Sequence, residues 1–239
     1  MGIALDGLRE DNYRLGDLQA LRYDPNKAPF HDGYLAQVYF QCKKSGILRV
    51  LFGENPPNTF DGIVSYLAAR PVIGLGRWAI VEEEIRSFDL CGFAFPIVTI
   101  GNKSPELAMF AGYGFFKRVW GTEDQKILAM LGLAYLFNEF EVKAIHGTRF
   151  EDNVLTARFM EKFGFKTIGT IPNYQIRDGV LCSAVVSSCD RDDFERILER
   201  ELVSLFRPEE AIPEAPQVPV ENEKKEEPVT HPYQPLNWL

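Results

Sequence analysis

Asn153-Val154-Leu155-Thr156-Ala157-Arg158-Phe159-Met160-Glu161-Lys162-Phe163-Gly164-Phe165 is the run from which the rest of the chain can be read. Asp152 or Asn153 makes a good helix N-cap, because a short side-chain oxygen accepts from a first-turn amide that has no partner inside the helix. Leu155, Phe159 and Phe163 recur every four residues and give the helix one apolar face, so Phe159 and Phe163 are expected in a core. Gly164 stops the helix where a left-handed residue is cheapest. Phe165 to Ile171, Phe-Lys-Thr-Ile-Gly-Thr-Ile, then reads as a strand.

Residue identity adds to this pattern. Asn153, Thr156, Arg158, Glu161, Lys162, Gly164 and Phe165 stand in the register Asn-x-x-Thr-x-Arg-x-x-Glu-Lys-x-Gly-Phe. That register resembles the second acyl-CoA-contacting helix of the GNAT superfamily of N-acetyltransferases, and within it the branch that acetylates protein N-termini, ribosomal ones included. The resemblance implies a preceding strand, supplied by Val142 to Gly147, and before it a long helix, supplied by Thr122 to Phe140 with its broad apolar content. The family opens that helix with a loop resembling Trp-Gly-x-Gly-x-Ala. Here Trp120-Gly121-Thr122-Glu123-Asp124-Gln125 keeps the Trp-Gly pair and lacks the second glycine.

A helix N-terminus attracts phosphate because free amides and the macrodipole point at it. Thr122-Glu123-Asp124-Gln125 instead matches a capping box, in which the Thr hydroxyl and the Gln amide satisfy those groups internally. Glu123 and Asp124 suit the dipole but repel a pyrophosphate, by about 1 to 4 kcal/mol each at close range.

The chain has 239 residues, is 46% hydrophobic and carries a net charge of -8. The acidity argues against general nucleic-acid affinity. Cys42, Cys91, Cys182 and Cys189 have no metal-type spacing and read as free thiols of a reducing cytoplasm. No signal peptide or membrane-length apolar run is read. Residues 1 to 33 form a polar lead-in with one helix expected near Leu15 to Tyr23. Tyr34 to Gln41 and Gly46 to Phe52 read as strands joined by a turn at Lys43-Lys44-Ser45-Gly46, and Thr59 as the cap of a helix ending before Pro71. Arg77 to Glu84, Phe88 to Phe95 (with Arg86-Ser87 between them) and Leu107 to Phe116 are further strands. Phe165 to Pro172 and Val180 to Ser188 form a hairpin about Arg177-Asp178-Gly179. Asp190 caps a last helix with Phe194, Ile197, Leu198, Leu202 and Leu205 as its stripe. The fold class expected is α/β (α+β): a GNAT-like mixed, mostly antiparallel central sheet of six or seven strands flanked by helices, over residues 1–206.

Residues 207–239 form an extended tail. They hold seven of the fifteen prolines, and seven acids against three bases account for half the net charge of -8. Such a composition does not fold alone. Its end, residues 228–239 with Tyr233, Leu236, Trp238 and Leu239, reads as an anchor for a protein partner or for self-assembly.

The resemblance implies acetyl-CoA as donor and a primary amine, on a protein N-terminus or a small molecule, as acceptor. It places the donor against the backbone of Leu107 to Phe116, whose Ala108, Ala111, Gly112 and Gly114 permit close approach or a bulge. Tyr113, Phe115, Trp120, Gly121, Thr122, Gln125, Asn153, Thr156 and Arg158 are the cofactor-binding candidates. Many relatives carry a tyrosine acid where this chain has Met160. For proton transfer the candidates are His146, whose imidazole titrates near neutrality, Glu83, and Tyr174. His146 reads equally as a strand-end histidine satisfied by backbone, Glu83 as a solvated edge, and Tyr174 as a cover for the hairpin. No metal is implied. The alternative is a degenerate GNAT-fold assembly component, virion-associated for instance, since divergent proteins of this kind occur in tailed phages; the acidic charge disfavours a DNA-modifying enzyme on the same fold.

Overall fold

The computed structural model describes residues 3–10, 12–22, 40, 43, 59–62, 72–82, 85–100, 107–177 and 179–206. Among these residues eight strands form one sheet: β1 (Arg14–Leu15), β2 (Leu18–Arg22), β3 (Ile73–Glu82), β4 (Ile85–Ile100), β5 (Ala108–Phe115), β6 (Ala144–Phe150), β7 (Lys166–Arg177) and β8 (Val180–Asp190). Their order is β1-β2-β3-β4-β5-β6-β8-β7, and every neighbouring pair is antiparallel except β5–β6. A parallel pair needs a crossover, which is the helix α2 (Glu123–Glu139); further α-helices among the described residues are α1 (Ile3–Glu10), α3 (Val154–Lys162) and α4 (Arg191–Phe206). The mixed, mostly antiparallel sheet with flanking helices is the one expected, with eight strands in place of six or seven.

Every residue of α2 from Leu128 to Asn138 is buried, as befits a helix apolar all round. One side lies on the sheet: a Cβ placed on Gly132 would meet Leu75 at 3.1 Å and the Tyr113 ring at 3.2 Å. The other side meets α1 and α4. Asn138 Nδ2 donates to Leu5 O at 2.9 Å, the Phe137 and Phe194 rings stack at 5.2 Å, and Arg191 donates to Phe137 O and Asn138 Oδ1. The stripe expected on α4 is largely realised, with Phe194 and Leu198 fully buried. Asp190 ends β8, paired with Ala144.

Helix α3 begins and ends as its residues dictate. Asn153 Oδ1 accepts from Thr156 N–H at 3.1 Å. At the other end Gly164 takes φ +83°, with Gly164 N–H on Glu161 O (3.1 Å) and Phe165 N–H on Met160 O (3.2 Å), the paired bonds of a Schellman ending. Phe163 is 2% exposed and Phe159 packs half-buried on the core, but Leu155 is 74% exposed. The apolar stripe therefore works only in the C-terminal half of the helix, the part that reaches the core. Gly164→Ala is expected to cost about 1–2 kcal/mol from the left-handed backbone alone. Its Cβ would also lie 2.9 Å from Ile197 Cδ1. Urea unfolding checks this; an unchanged midpoint contradicts the need for a left-handed residue here.

Three expectations are corrected. Residues Leu15 to Arg22, within the expected helix, are not helical: Leu15 pairs with Leu18 across a tight turn in which Gly16 sits at φ +61°, making β1–β2 a hairpin. Glu82 pairs with Ile85, so Arg86 and Ser87 are strand residues rather than the turn. Phe40, read as part of a strand, and Lys43, read as part of the turn after it, are described and both are helical. The remainder of Tyr34 to Gln41, all of Gly46 to Phe52, and the tail 207–239 lie outside the described residues. Thr59 does cap as expected, its hydroxyl oxygen accepting from Gly62 N–H at 3.1 Å. Cys189 is buried against α3, donating to Phe163 O at 3.0 Å, and burial pushes its thiol up to about 12.

Candidate active site

Strands β5 and β6 part company. They pair over Ala108↔Ala144, Met109↔Ile145 and Phe110↔His146, after which β5 continues to Phe115 and β6 to Phe150 with no pairing between them. Each stays tied on its outer side, β5 to β4 as far as Gly92↔Phe115 and β6 to β8 as far as Phe150↔Ala184. The result is a fork with fixed walls. Odd-numbered residues of β5 turn their main-chain groups toward β6, as Leu107 O shows by accepting from Lys143 N–H at 2.7 Å. Phe116 N–H turns the other way, to Cys91 O of β4 at 2.9 Å. By this alternation the N–H and C=O of Tyr113 face the fork with no strand opposite. The Phe115 carbonyl is already taken, by the Trp120 indole N–H at 2.8 Å.

Side chains alternate as well. Tyr113 and Met109 face α2, whereas Phe110 and Gly112 face the opposite side. A Cβ on Gly112 would meet the Phe95 ring at 2.6 Å. Packing of that ring explains this small residue, and the bulge lies on β4, where the register shifts between Pro96 and Val98. Helix α3 closes the fork on the α2 side, with Phe159 edge-on to Phe115 at 5.9 Å and Met160 over Gly147.

His146 occupies the apex. Its ring is half-buried beside Phe110, at 5.2 Å between centroids, and among the described residues its buried Nδ1 has no hydrogen-bond partner. No described main-chain group satisfies that nitrogen, as one often does for a histidine at a strand end. Burial holds the imidazole below the ordinary histidine value, against an opposing pull from Asp190. An imidazole so placed is neutral near pH 7 and able to take a proton.

The loop before α2 is self-capped. Thr122 Oγ1 accepts from Gln125 N–H at 3.2 Å and donates to Val119 O at 2.7 Å, while Gln125 Oε1 accepts from Gly121 N–H at 2.7 Å. Glu123 pairs with Lys126 at 3.2 Å, and Asp124 with Arg77 at 2.8 Å. Arg77 also reaches Asp17 at 2.9 Å. It was legible in the sequence only as the start of a strand, since its partners lie far away along the chain.

The remaining candidates are spread more widely. Asn153 uses its side-chain oxygen as the cap of α3, Thr156 is half-buried in the first turn, and Arg158 is exposed one turn on. Tyr174 is 48% exposed on β7, two strands beyond β6. It lies in the bulge between Ile171↔Ala184 and Gln175↔Cys182, whereas His146 is opposite Ser188, so the two do not meet. Glu83 lies outside the described residues. Sequence reasoning also missed Phe110, which with His146 marks where the strands separate.

No protein-family model and no curated protein sequence matches the chain. Solved structures do. A spermidine N-acetyltransferase from Vibrio cholerae, solved with CoA and spermine, is 14% identical with a TM-score of 0.58, over 75% of this chain and 98% of that one. A ribosomal-protein alanine acetyltransferase from Vibrio fischeri is 13% identical with a TM-score of 0.55, over 76% and 97%. A GNAT-family acetyltransferase from Bacillus anthracis is 14% identical with a TM-score of 0.54, over 75% and 98%. At these identities the likeness is one of fold: the chain has the GNAT architecture.

Proposed function

We propose that the chain is an acyl-CoA-dependent N-acyltransferase that moves an acetyl group onto a primary amine, of a protein N-terminus or a small molecule. The observation that carries this reading is the fork: Tyr113 presents its N–H and C=O, with no described strand opposite, to a slot whose apex holds a histidine with a buried Nδ1 that no described group bonds. Unpaired main-chain groups between otherwise intact strands suit an extended ligand with amides of its own, bound as a short extra strand. The pantetheine arm of an acyl-CoA is such a ligand. Solved structures that share the fold include acetyltransferases, one of them a spermidine N-acetyltransferase in complex with CoA and spermine, which supports the same reading.

The donor supplies a thioester carbonyl for attack by the amine nitrogen, with a thiolate as leaving group. Tyr113 holds the arm in register, and main-chain N–H groups of β5 polarise the carbonyl as an oxyanion site does. His146 accepts the proton the amine must lose as its nitrogen–carbon bond forms. Helix α3 keeps water from that side of the slot. Incubating the protein with acetyl-CoA and a panel of polyamines and peptides with free N-termini, followed by mass spectrometry, should yield an acetylated amine and free thiol. No product from any amine would contradict the assignment.

A further inference from the structure

Of the six amides from Trp120 to Gln125, four are used inside the loop: Trp120 N–H on Lys117 O, Gly121 N–H on Gln125 Oε1, Thr122 N–H on Val119 O, and Gln125 N–H on Thr122 Oγ1. At most two remain, and they belong to Glu123 and Asp124, residues that carry carboxylates. The cations around this helix end are engaged too. Arg77 holds Asp17 and Asp124, Lys126 holds Glu123 and Glu201, and Arg118 holds Asp89 and the Leu90 carbonyl. A diphosphate arriving here would have to displace Gln125 from Gly121 and would meet two carboxylates, while Arg77 and Arg118 beside them are already paired. The fork, by contrast, has no described strand paired across it.

We propose that the donor is recognised through its pantetheine arm alone, so that the nucleotide and diphosphate end of coenzyme A gains little from this chain and short pantetheine thioesters serve as donors comparably to acyl-CoA. This rests on the fork being the donor slot. The acyl-bearing arm is held by Tyr113, and the phosphates lie over a helix start that its own side chains have closed. The loop that resembles a phosphate cradle in sequence is a structural cap.

Calorimetric titration of the full chain with coenzyme A, 4′-phosphopantetheine and pantetheine tests this without relying on turnover. Dissociation constants within about threefold of one another are expected; a preference for coenzyme A over pantetheine of about tenfold or more overturns the proposal. The phosphopantetheine titration assigns any preference to the first phosphate or to the rest of the nucleotide. Gln125→Ala releases the Gly121 amide, and a single charge-assisted hydrogen bond to phosphate should then tighten coenzyme A about tenfold and leave pantetheine unchanged. If the substitution leaves both affinities as they were, the cap is not what withholds the phosphates and the proposal fails. Absence of binding by all three ligands removes the donor slot itself, an outcome distinct from tight binding of coenzyme A alone.

Discussion

His146→Ala is expected to lower kcat by about 10² to 10⁴-fold, the usual contribution of a positioned general base, with little change in KM for the donor. The unpartnered Nδ1 makes this a clean substitution. No described group bonds to that nitrogen, so none is orphaned there when the imidazole goes. Thermal stability should therefore hold while turnover falls. The pH profile supplies the second readout. Only the neutral imidazole accepts a proton, so activity rises with pH through its pKa. Burial lowers that value in the folded protein, which places the acidic limb below the ordinary histidine value near 6.5. His146→Ala should abolish that limb along with the rate. A kcat within about threefold of wild type, with the limb intact, would assign the proton to another group.

The second large effect is on the fold. Phe163→Ala should destabilise by about 3–5 kcal/mol, because a fully buried ring leaves a cavity that its surroundings fill poorly. Phe163 sits where α3, β8 and the core meet: its ring is edge-on to Phe159 at 4.9 Å and its carbonyl accepts from Cys189. For a domain of this size that is a drop of about 10 °C in Tm. Leu155→Ala, on the same sequence stripe but exposed, should stay within about 0.5 kcal/mol. Denaturant midpoints of the two variants decide it. Equal losses would mean that the helix does not dock through its C-terminal half.

These two residues also show how far the sequence carried. Asn153 as cap, Gly164 as stop and Phe163 as core residue were legible because each depends on chemistry within about one turn of itself. The self-capped loop was legible for the same reason, its Thr122 and Gln125 lying three residues apart. Leu155 was misread because periodicity gives the direction of a face and not where the neighbouring sheet ends. Leu15, Leu18 and Leu21 recur at a helical spacing, yet Gly16 at φ +61° folds them into a hairpin. Gly112 pointed to close approach, and the approaching group is the Phe95 ring, set by a β4–β5 register that no local pattern contains. The fork itself is a property of four strands, β4, β5, β6 and β8. His146 could be named as a base from its type and position, but its place at the apex, two strands from Tyr174, required the sheet.

Amide hydrogen exchange with and without coenzyme A tests the central claim most directly, because it reports on the main-chain groups said to hold the donor. Binding at micromolar strength should slow exchange at Tyr113, the amide that faces the fork unpaired, while Phe116, already bonded to Cys91 O, stays as protected as before. No binding at millimolar ligand, or binding that protects the chain elsewhere and leaves Tyr113 untouched, would contradict the account.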